Sequence, residues 1–347
     1  MATTFAVPDG RVAMAATLYT GNGTGVGQSI TNTVNTVSFQ PDLVWIKSRS
    51  GAYDHGLNDS NRGAGKFLFS NLTSAEGNYP TDFASFNSNG FTLGTGTGVV
   101  TNNSGSTYVG WQWNAGGTTV SNTAGTITSS VSANTTAGFS VVTYTGTGAN
   151  ATVGHGLGVA PRMVIIKSRS VATNWIVYHS SVAATAHLVL NLTDAAYTDV
   201  AFNNTAPTSS VFSIGPAGYS VNNSAATYVA YCWAPVAGYS AFGSYTGNGS
   251  ADGPFVYTGF RPRWVMIKEI TVGGTPWMVW DSSRDTYNPE SARLAPNVAD
   301  AEVSVSIGDF VSNGIKIRQT GTGYNATGST YIYAAFAENP LKYANAR

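Results

Sequence analysis

The chain writes one phrase three times. "FQPDLVWIKSRS" at 39–50 returns as "VAPRMVIIKSRS" at 159–170 and as "FRPRWVMIKEI" at 260–270. Each copy follows a Tyr-Thr-Gly stretch: "LYTGNGTG" (18–25), "TYTGTGAN" (143–150) and "SYTGNGSA" (244–251). Each precedes a Thr-Tyr-apolar stretch: "SGSTYVGWQWNAG" (104–116), "SAATYVAYCWAPV" (224–236) and "TGSTYIYAAFAENP" (327–340). Tyr19, Tyr144 and Tyr245 thus head three units, Pro41, Pro161 and Pro262 mark their middles, and Tyr108, Tyr228 and Tyr331 close them. A repeat of roughly 100 residues is too long for a solenoid turn and has the size of a domain. Each unit is therefore expected to bury a core of its own. The expected divisions are an N-terminal arm at 1–14, units at 15–115 and 137–236 with a linker at 116–136 between them, and a third unit with a C-terminal tail at 237–347. The linker has room for one extra strand around Thr126–Val131.

Within a unit the signals are those of strands. "DLVWIKS", "RMVIIKS" and "RWVMIKE" are apolar runs opened by proline, which fits the first position of a strand. Their near-continuous hydrophobicity predicts a central strand buried on both faces, since a half-exposed strand would alternate. Trp45, Ile165 and Met266 are the expected equivalent core positions. "STYVGWQW" does alternate, with Tyr108, Gly110 and Gln112 on one face and Val109, Trp111 and Trp113 on the other. "KFLFSNL" (66–72) and "HLVLNL" (187–192) read as further strands, and Asn89-Gly90 and Asn313-Gly314 as type I′ hairpin turns. No capped amphipathic helix is visible. The expectation is an all-β protein of three tandem antiparallel β-sandwiches, jelly-roll-like in character.

Composition supports that class and narrows function. The 40 glycines come with a 42% hydrophobic fraction, so the chain is not a disordered polar segment. Seventeen basic residues balance seventeen acidic ones, which gives no electrostatic footprint for nucleic acid or an anionic membrane. No apolar run reaches membrane-spanning length, so no membrane insertion is expected. The N-terminus lacks a basic stretch followed by an apolar one, so no signal peptide is expected. The lone Cys232, in "YVAYCWAP", reads as a small buried hydrophobe. A chain so poor in charge and cysteine suits a protein made in a reducing cytoplasm that works outside it.

Chemistry is sparse. The four histidines, His55, His155, His179 and His187, fall in no zinc-binding spacing, and "GTGTGVV" lacks the ending of a phosphate loop. No cofactor, metal or catalytic residue is expected. Lys47, Lys167 and Lys268 follow the phrase at one place in each copy. They read as ligand-facing cations or as strand-end lysines extending to water. Asp59-Ser60-x-Arg62 recurs as Asp281-Ser282-x-Arg284. It reads as a carboxylate and arginine in a sugar-binding or hydrolytic groove, or as a turn in which the aspartate caps local N–H groups. Unit two has "YHSSV" there and lacks both charges, which favours the turn. Tyr53, Tyr79, Trp175, Trp277, Tyr287 and Tyr324 stand in loop or edge contexts, where flat rings beside polar groups suit glycans or a protein interface. A binding site, if present, would use Tyr53, Asp59, Arg62, Trp175, Trp277, Asp281 and Arg284.

The set "YTGNG…FQPDLVWIKSRS…DSNRG…FNSNGFTLGTG…SGSTYVGWQWNAGG" resembles a repeated domain of uncharacterised bacteriophage virion proteins. That domain is common in marine and cyanobacterial phages and is often labelled tail or tail-fibre protein. The likeness runs from about residue 9 to the end, with "YIYAAFAENPLKYANAR" similar to the family's last strand and tail, and unit two departing most. It implies a virion location after assembly in the host cytoplasm, and a structural or adhesive role without catalysis. The implied partners are other virion proteins and a host cell-surface glycan. A homo-oligomer is expected, with a trimer favoured. The alternatives are a capsid decoration protein, a glycan depolymerase and a secreted bacterial adhesin.

Overall fold

A computed structural model describes Val7 and residues 9–337. The expected C-terminal tail therefore lies largely outside the described residues. All paired strands run antiparallel, and the described residues contain one short 3-10 turn, Gly10–Val12. The all-β antiparallel expectation holds.

Each unit builds an inner sheet in the same order: heading strand, closing strand, phrase strand, then the strand after the phrase. In unit one these are Met14–Thr20, Thr107–Trp113, Leu43–Ser48 and Gly56–Asp59. In unit two they are Phe139–Thr145, Thr227–Trp233, Met163–Ser168 and Ile176–His179, and in unit three Ser240–Thr246, Thr330–Ala337, Pro262–Glu269 and Met278–Asp281. The register is shared as well. Tyr19 lies opposite Tyr108, Tyr144 opposite Tyr228 and Tyr245 opposite Tyr331. Their rings stack at 5.1, 5.0 and 4.9 Å. Each heading hydroxyl then donates to a backbone carbonyl of the loop before the closing strand: Thr101, Val221 and Tyr324. The Tyr-Thr-Gly landmark is a packing device.

A second, outer sheet covers one face of each inner sheet. Gln28–Thr31, Gly90–Leu93 and Ser85–Asn87 form it in unit one, and Ala151–Gly154 with Val211–Ile214 in unit two. Unit three uses Phe255–Tyr257, Gly314–Ile317, Val303–Val311 and Glu290–Arg293. Val44, Ile46 and Tyr108 meet Ile30, Phe91 and Leu93 between the sheets of unit one, and Val164, Ile166 and Cys232 meet Val153, Phe212 and Ile214 in unit two. The phrase strands are buried along both faces, as their composition predicts.

The other faces of the three inner sheets do not have separate covers. Trp45, Trp111 and Trp113 of unit one, Ile165, Tyr231 and Trp233 of unit two, and Trp264, Met266 and Phe336 of unit three belong to one apolar cluster. Trp113 lies 6.0 Å from Trp233, 5.5 Å from Trp264 and 5.8 Å from Phe336, ring centre to ring centre. The units are sandwiches, as expected, but their largest core is held in common. That follows from area: a sheet carrying large apolar side chains on both faces needs two covers, and each unit supplies one.

Three local expectations are adjusted by the structure. The stretch 116–136 holds two strands, where one was expected around Thr126–Val131. Strands Thr119–Asn122 and Ser129–Asn134 extend the sheet of unit two beyond Phe139–Thr145. Of the expected arm, Val7, Ala13 and Met14 are buried in the shared cluster. The Asn-Gly hairpins exist, but one residue out of place: Asn87 pairs with Gly90 and Val311 with Gly314, so the loops are Ser88–Asn89 and Ser312–Asn313. The glycines instead allow close approach of a neighbouring strand. A Cβ on Gly90 would sit 2.0 Å from the Ile30 carbonyl oxygen, and one on Gly314 2.2 Å from that of Val256.

Candidate functional site

The repeated lysines are fully buried. Lys47 Nζ donates to the carbonyls of Ser48 (2.8 Å), Gly51 (3.2 Å) and Ala299 (3.1 Å). Lys167 donates to Ser168 (3.2 Å) and Thr73 (3.0 Å), and Lys268 to Glu269 (2.7 Å), Thr275 (3.0 Å) and Thr193 (3.2 Å). In each case one acceptor lies in another unit, at the end of a matching turn: Asn71-Leu72-Thr73, Asn191-Leu192-Thr193 or Asn297-Val298-Ala299. Unit one reaches to unit three, unit two to unit one and unit three to unit two, which closes a ring. The lysines are neither ligand-facing nor exposed. Burial lowers all three from the usual lysine value of 10.5 to about 8.

The Asp-Ser-x-Arg segments lie on the same boundaries. Asp59 Oδ1 accepts the Arg62 backbone N–H at 2.9 Å, and Oδ2 pairs with Arg62 Nε. Arg62 also donates to the Leu57 and Lys66 carbonyls and to Glu76, while the Tyr231 hydroxyl of unit two donates to Asp59 at 2.8 Å. Arg169 of unit two completes the group on Glu76, at 2.8 and 3.1 Å. At the boundary of units three and one, Asp281, Arg284, Glu302, Arg49 and Trp111 repeat the arrangement. Arg284 Nε lies 2.6 Å from Asp281, Arg49 donates to Glu302 at 2.7 and 2.9 Å, and Trp111 Nε1 donates to Asp281 at 2.9 Å.

The boundary of units two and three replaces all five members together. His179 stands for the aspartate, Val182 for its arginine, Ala196 for the glutamate, Ile270 for the second arginine and Ala334 for the hydroxyl or indole. The backbone contact persists: the N–H groups of Glu76, Ala196 and Glu302 donate to the carbonyls of Arg169, Ile270 and Arg49. His179 Nε2 lies 3.1 Å from the Tyr333 carbonyl, which can only accept, so Nε2 carries the proton. Burial lowers its pKa to about 4, which keeps the ring neutral. A charge removed on one side of a buried boundary leaves its partner dehydrated and unpaired, so the set is retained or discarded as a whole.

The aromatic candidates fill matching places. Trp175 Nε1 donates to the Phe69 carbonyl of unit one at 2.9 Å, and Trp277 Nε1 to the Val189 carbonyl of unit two at 3.0 Å. Of the seven expected ligand-binding residues, Asp59, Arg62, Trp175, Trp277, Asp281 and Arg284 are buried at these boundaries, in separate places rather than around one opening. Tyr53 is half-buried, with its ring over Gly51. The buried six stand against neighbouring units. Sequence reasoning missed Glu76, Glu302, Arg49 and Arg169. Their signal was available, because the glutamates fall five residues after the asparagines of the matching turns and the arginines two residues after the lysines.

An open groove of about 590 Å³ lies where unit one meets the strands before unit two, lined by Val12, Gln40, Asn114, Gly117 and Asn134 among others. Among the described residues, no group of three or more His, Cys, Asp or Glu side chains could hold a metal ion, and no helix is long and apolar enough to cross a membrane.

These features define an all-β chain whose three sequence-related sandwich units lock in a ring around one core. The chain belongs to the family described as Domain of unknown function (DUF7483), which matches residues 13–340. The matched span takes in all three units as one stretch. No curated protein matches the chain.

Proposed function

We propose that the chain is a structural protein of a bacteriophage virion, a component of the tail or tail fibre that attaches to the host surface or joins other virion proteins. The observation that carries this reading is the ring of boundaries. Each unit's recurring lysine, and at two boundaries a buried ion-pair group, hold a neighbouring unit. Such a block keeps its shape without a ligand, which is what a particle part exposed outside the cell requires. The likeness of the repeat set to phage virion domains supports the same reading. The role is binding without turnover: presentation of the block in many copies turns weak contacts into avidity.

Antibody labelling of purified virions, viewed by electron microscopy, tests the location. Label on the tail or its fibres is the expected result. Label over the capsid would transfer the protein to capsid decoration, and no label on virions would overturn the proposal. Incubation with host surface glycan should leave the polymer at full length, and shortening would favour a depolymerase.

A further inference from the structure

Comparison of the outer sheets at equivalent positions singles out unit three. Ile30, Val153 and Val256 point inward from the strands Gln28–Thr31, Ala151–Gly154 and Phe255–Tyr257, and pair with Phe91, Phe212 and Ile315. Their outward neighbours are Ser29 and Thr31 in unit one and Thr152 and Gly154 in unit two, but Phe255 and Tyr257 in unit three. Phe255 is 47% exposed and Tyr257 66%. Two small residues have become two large aromatic ones where no burial calls for them.

The surroundings make the rings a platform. A Cβ on Gly314, on the adjacent strand, would lie 2.9 Å from Phe255 ring carbons, and one on Gly259 3.5 Å from the Tyr257 hydroxyl oxygen. Both rings therefore lie against glycine backbone. The register continues outward from Phe255 to Lys316 and Asp309 on the same face. Lys316 pairs with Asp252 at 2.6 Å, and Arg318 with Asp309 at 2.9 Å. The polar fringe thus carries both signs in equal number beside the exposed rings.

We propose that Phe255 and Tyr257 form a stacking platform for the sugar rings of a neutral bacterial surface polysaccharide, with Asp309, Lys316 and Arg318 hydrogen-bonding its hydroxyls; this rests on the host-attachment reading above. The C–H face of a pyranose ring suits a flat aromatic surface, and its hydroxyls suit donors and acceptors at the rim. A balanced fringe offers no net attraction to a polyanion. A protein partner is the less fitting occupant, since this platform is two aromatic residues wide and a stable protein interface takes about 20–30 residues a side.

The test substitutes the unit-one residues, Phe255→Ser with Tyr257→Thr, a pair this sheet already carries in another copy. The probe is an array of purified O-polysaccharides and capsular polysaccharides. Wild-type protein should bind a subset, the double variant should lose at least about tenfold in affinity with unchanged circular dichroism, and Phe255→Trp with Tyr257→Trp should keep binding. Equal binding by wild type and the double variant, or no binding by wild type, overturns the platform. Loss of a virion protein from pull-downs with the double variant, without any sugar binding, would reassign the surface to a protein joint. Virion labelling separates the two proposals: a chain on virions that binds no polysaccharide sinks the platform alone, and a chain absent from virions that binds sugar through these rings sinks the virion location alone.

Discussion

Removal of one carboxylate at the first boundary perturbs the ring of units most sharply. In Asp59→Ala the Arg62 guanidinium, whose side chain has no exposed area, keeps the Leu57 and Lys66 carbonyls and Glu76 but loses its partner at Nε. The Arg62 N–H loses its cap and the Tyr231 hydroxyl its acceptor. Breaking one side of a buried ion pair costs about 3–5 kcal/mol, because the remaining charge stays out of water. The second boundary shows the uncharged solution, and it can be transplanted as Asp59→His, Arg62→Val, Glu76→Ala and Arg169→Ile, with Tyr231→Phe to remove the hydroxyl left without its acceptor. Replacement of a whole buried pair by packed apolar groups is often neutral, so the fivefold variant should lose less than about 2 kcal/mol. Equilibrium urea denaturation followed by tryptophan fluorescence measures both. A fivefold variant as unstable as Asp59→Ala, or an Asp59→Ala within about 0.5 kcal/mol of wild type, would refute the reasoning.

Other outcomes follow from single sites. Ile165→Ala should cost about 2–5 kcal/mol in the same assay, since Ile165 is buried in the shared cluster, and a cost under about 0.5 kcal/mol would mean the phrase strand is not core. Stability should rise with pH from about 8 toward 10, because Lys47, Lys167 and Lys268 release their protons near 8 when folded and near 10.5 when unfolded, so the unfolded chain binds more protons in that window. Above about 10 the trend should reverse, because burial raises the hydroxyls of Tyr19, Tyr144 and Tyr245 well above the usual tyrosine value and only the unfolded chain then ionises. Urea midpoints across pH 7 to 11 check both limbs, and a steady fall from 8 to 10 counts against the buried ammonium groups. Trp113→Ala should destabilise all three units together, read as simultaneous loss of signal from probes placed in each.

Much of the fold was legible because β-structure writes itself in short range. The apolar run of "RMVIIKS" sets a strand covered on both sides, and the alternation of "STYVGWQW" assigns Trp111 and Trp113 to one face. What the alternation omits is the identity of the cover. Trp113 could have met a second sheet of its own unit, and it meets Trp233 and Trp264 instead. The same gap explains the site. The absence of charge from "YHSSV" marked the Asp-Ser-x-Arg segment as a structural turn, yet Tyr231, whose hydroxyl donates to Asp59, stands 172 residues away. The lysines misled for a related reason: a cation at a strand end reads as solvent-facing unless a neighbouring chain segment brings carbonyls to it, as the turn ending at Thr73 does for Lys167. The Asn-Gly turns failed on a local competition, since the backbone of the adjacent strand needed the glycine more than the hairpin did.

Native-state hydrogen exchange in rising guanidinium, resolved by mass spectrometry, tests most directly whether the three units form one body. The reporters are the three phrase strands, Leu43–Ser48, Met163–Ser168 and Pro262–Glu269, each at the centre of its sheet. A shared core and a closed ring predict that all three exchange through a single opening, with free energies that converge to one value as denaturant rises. Three strands that open at distinct free energies, each insensitive to Asp59→Ala in another unit, would mean three independent domains and would contradict the interlocked ring.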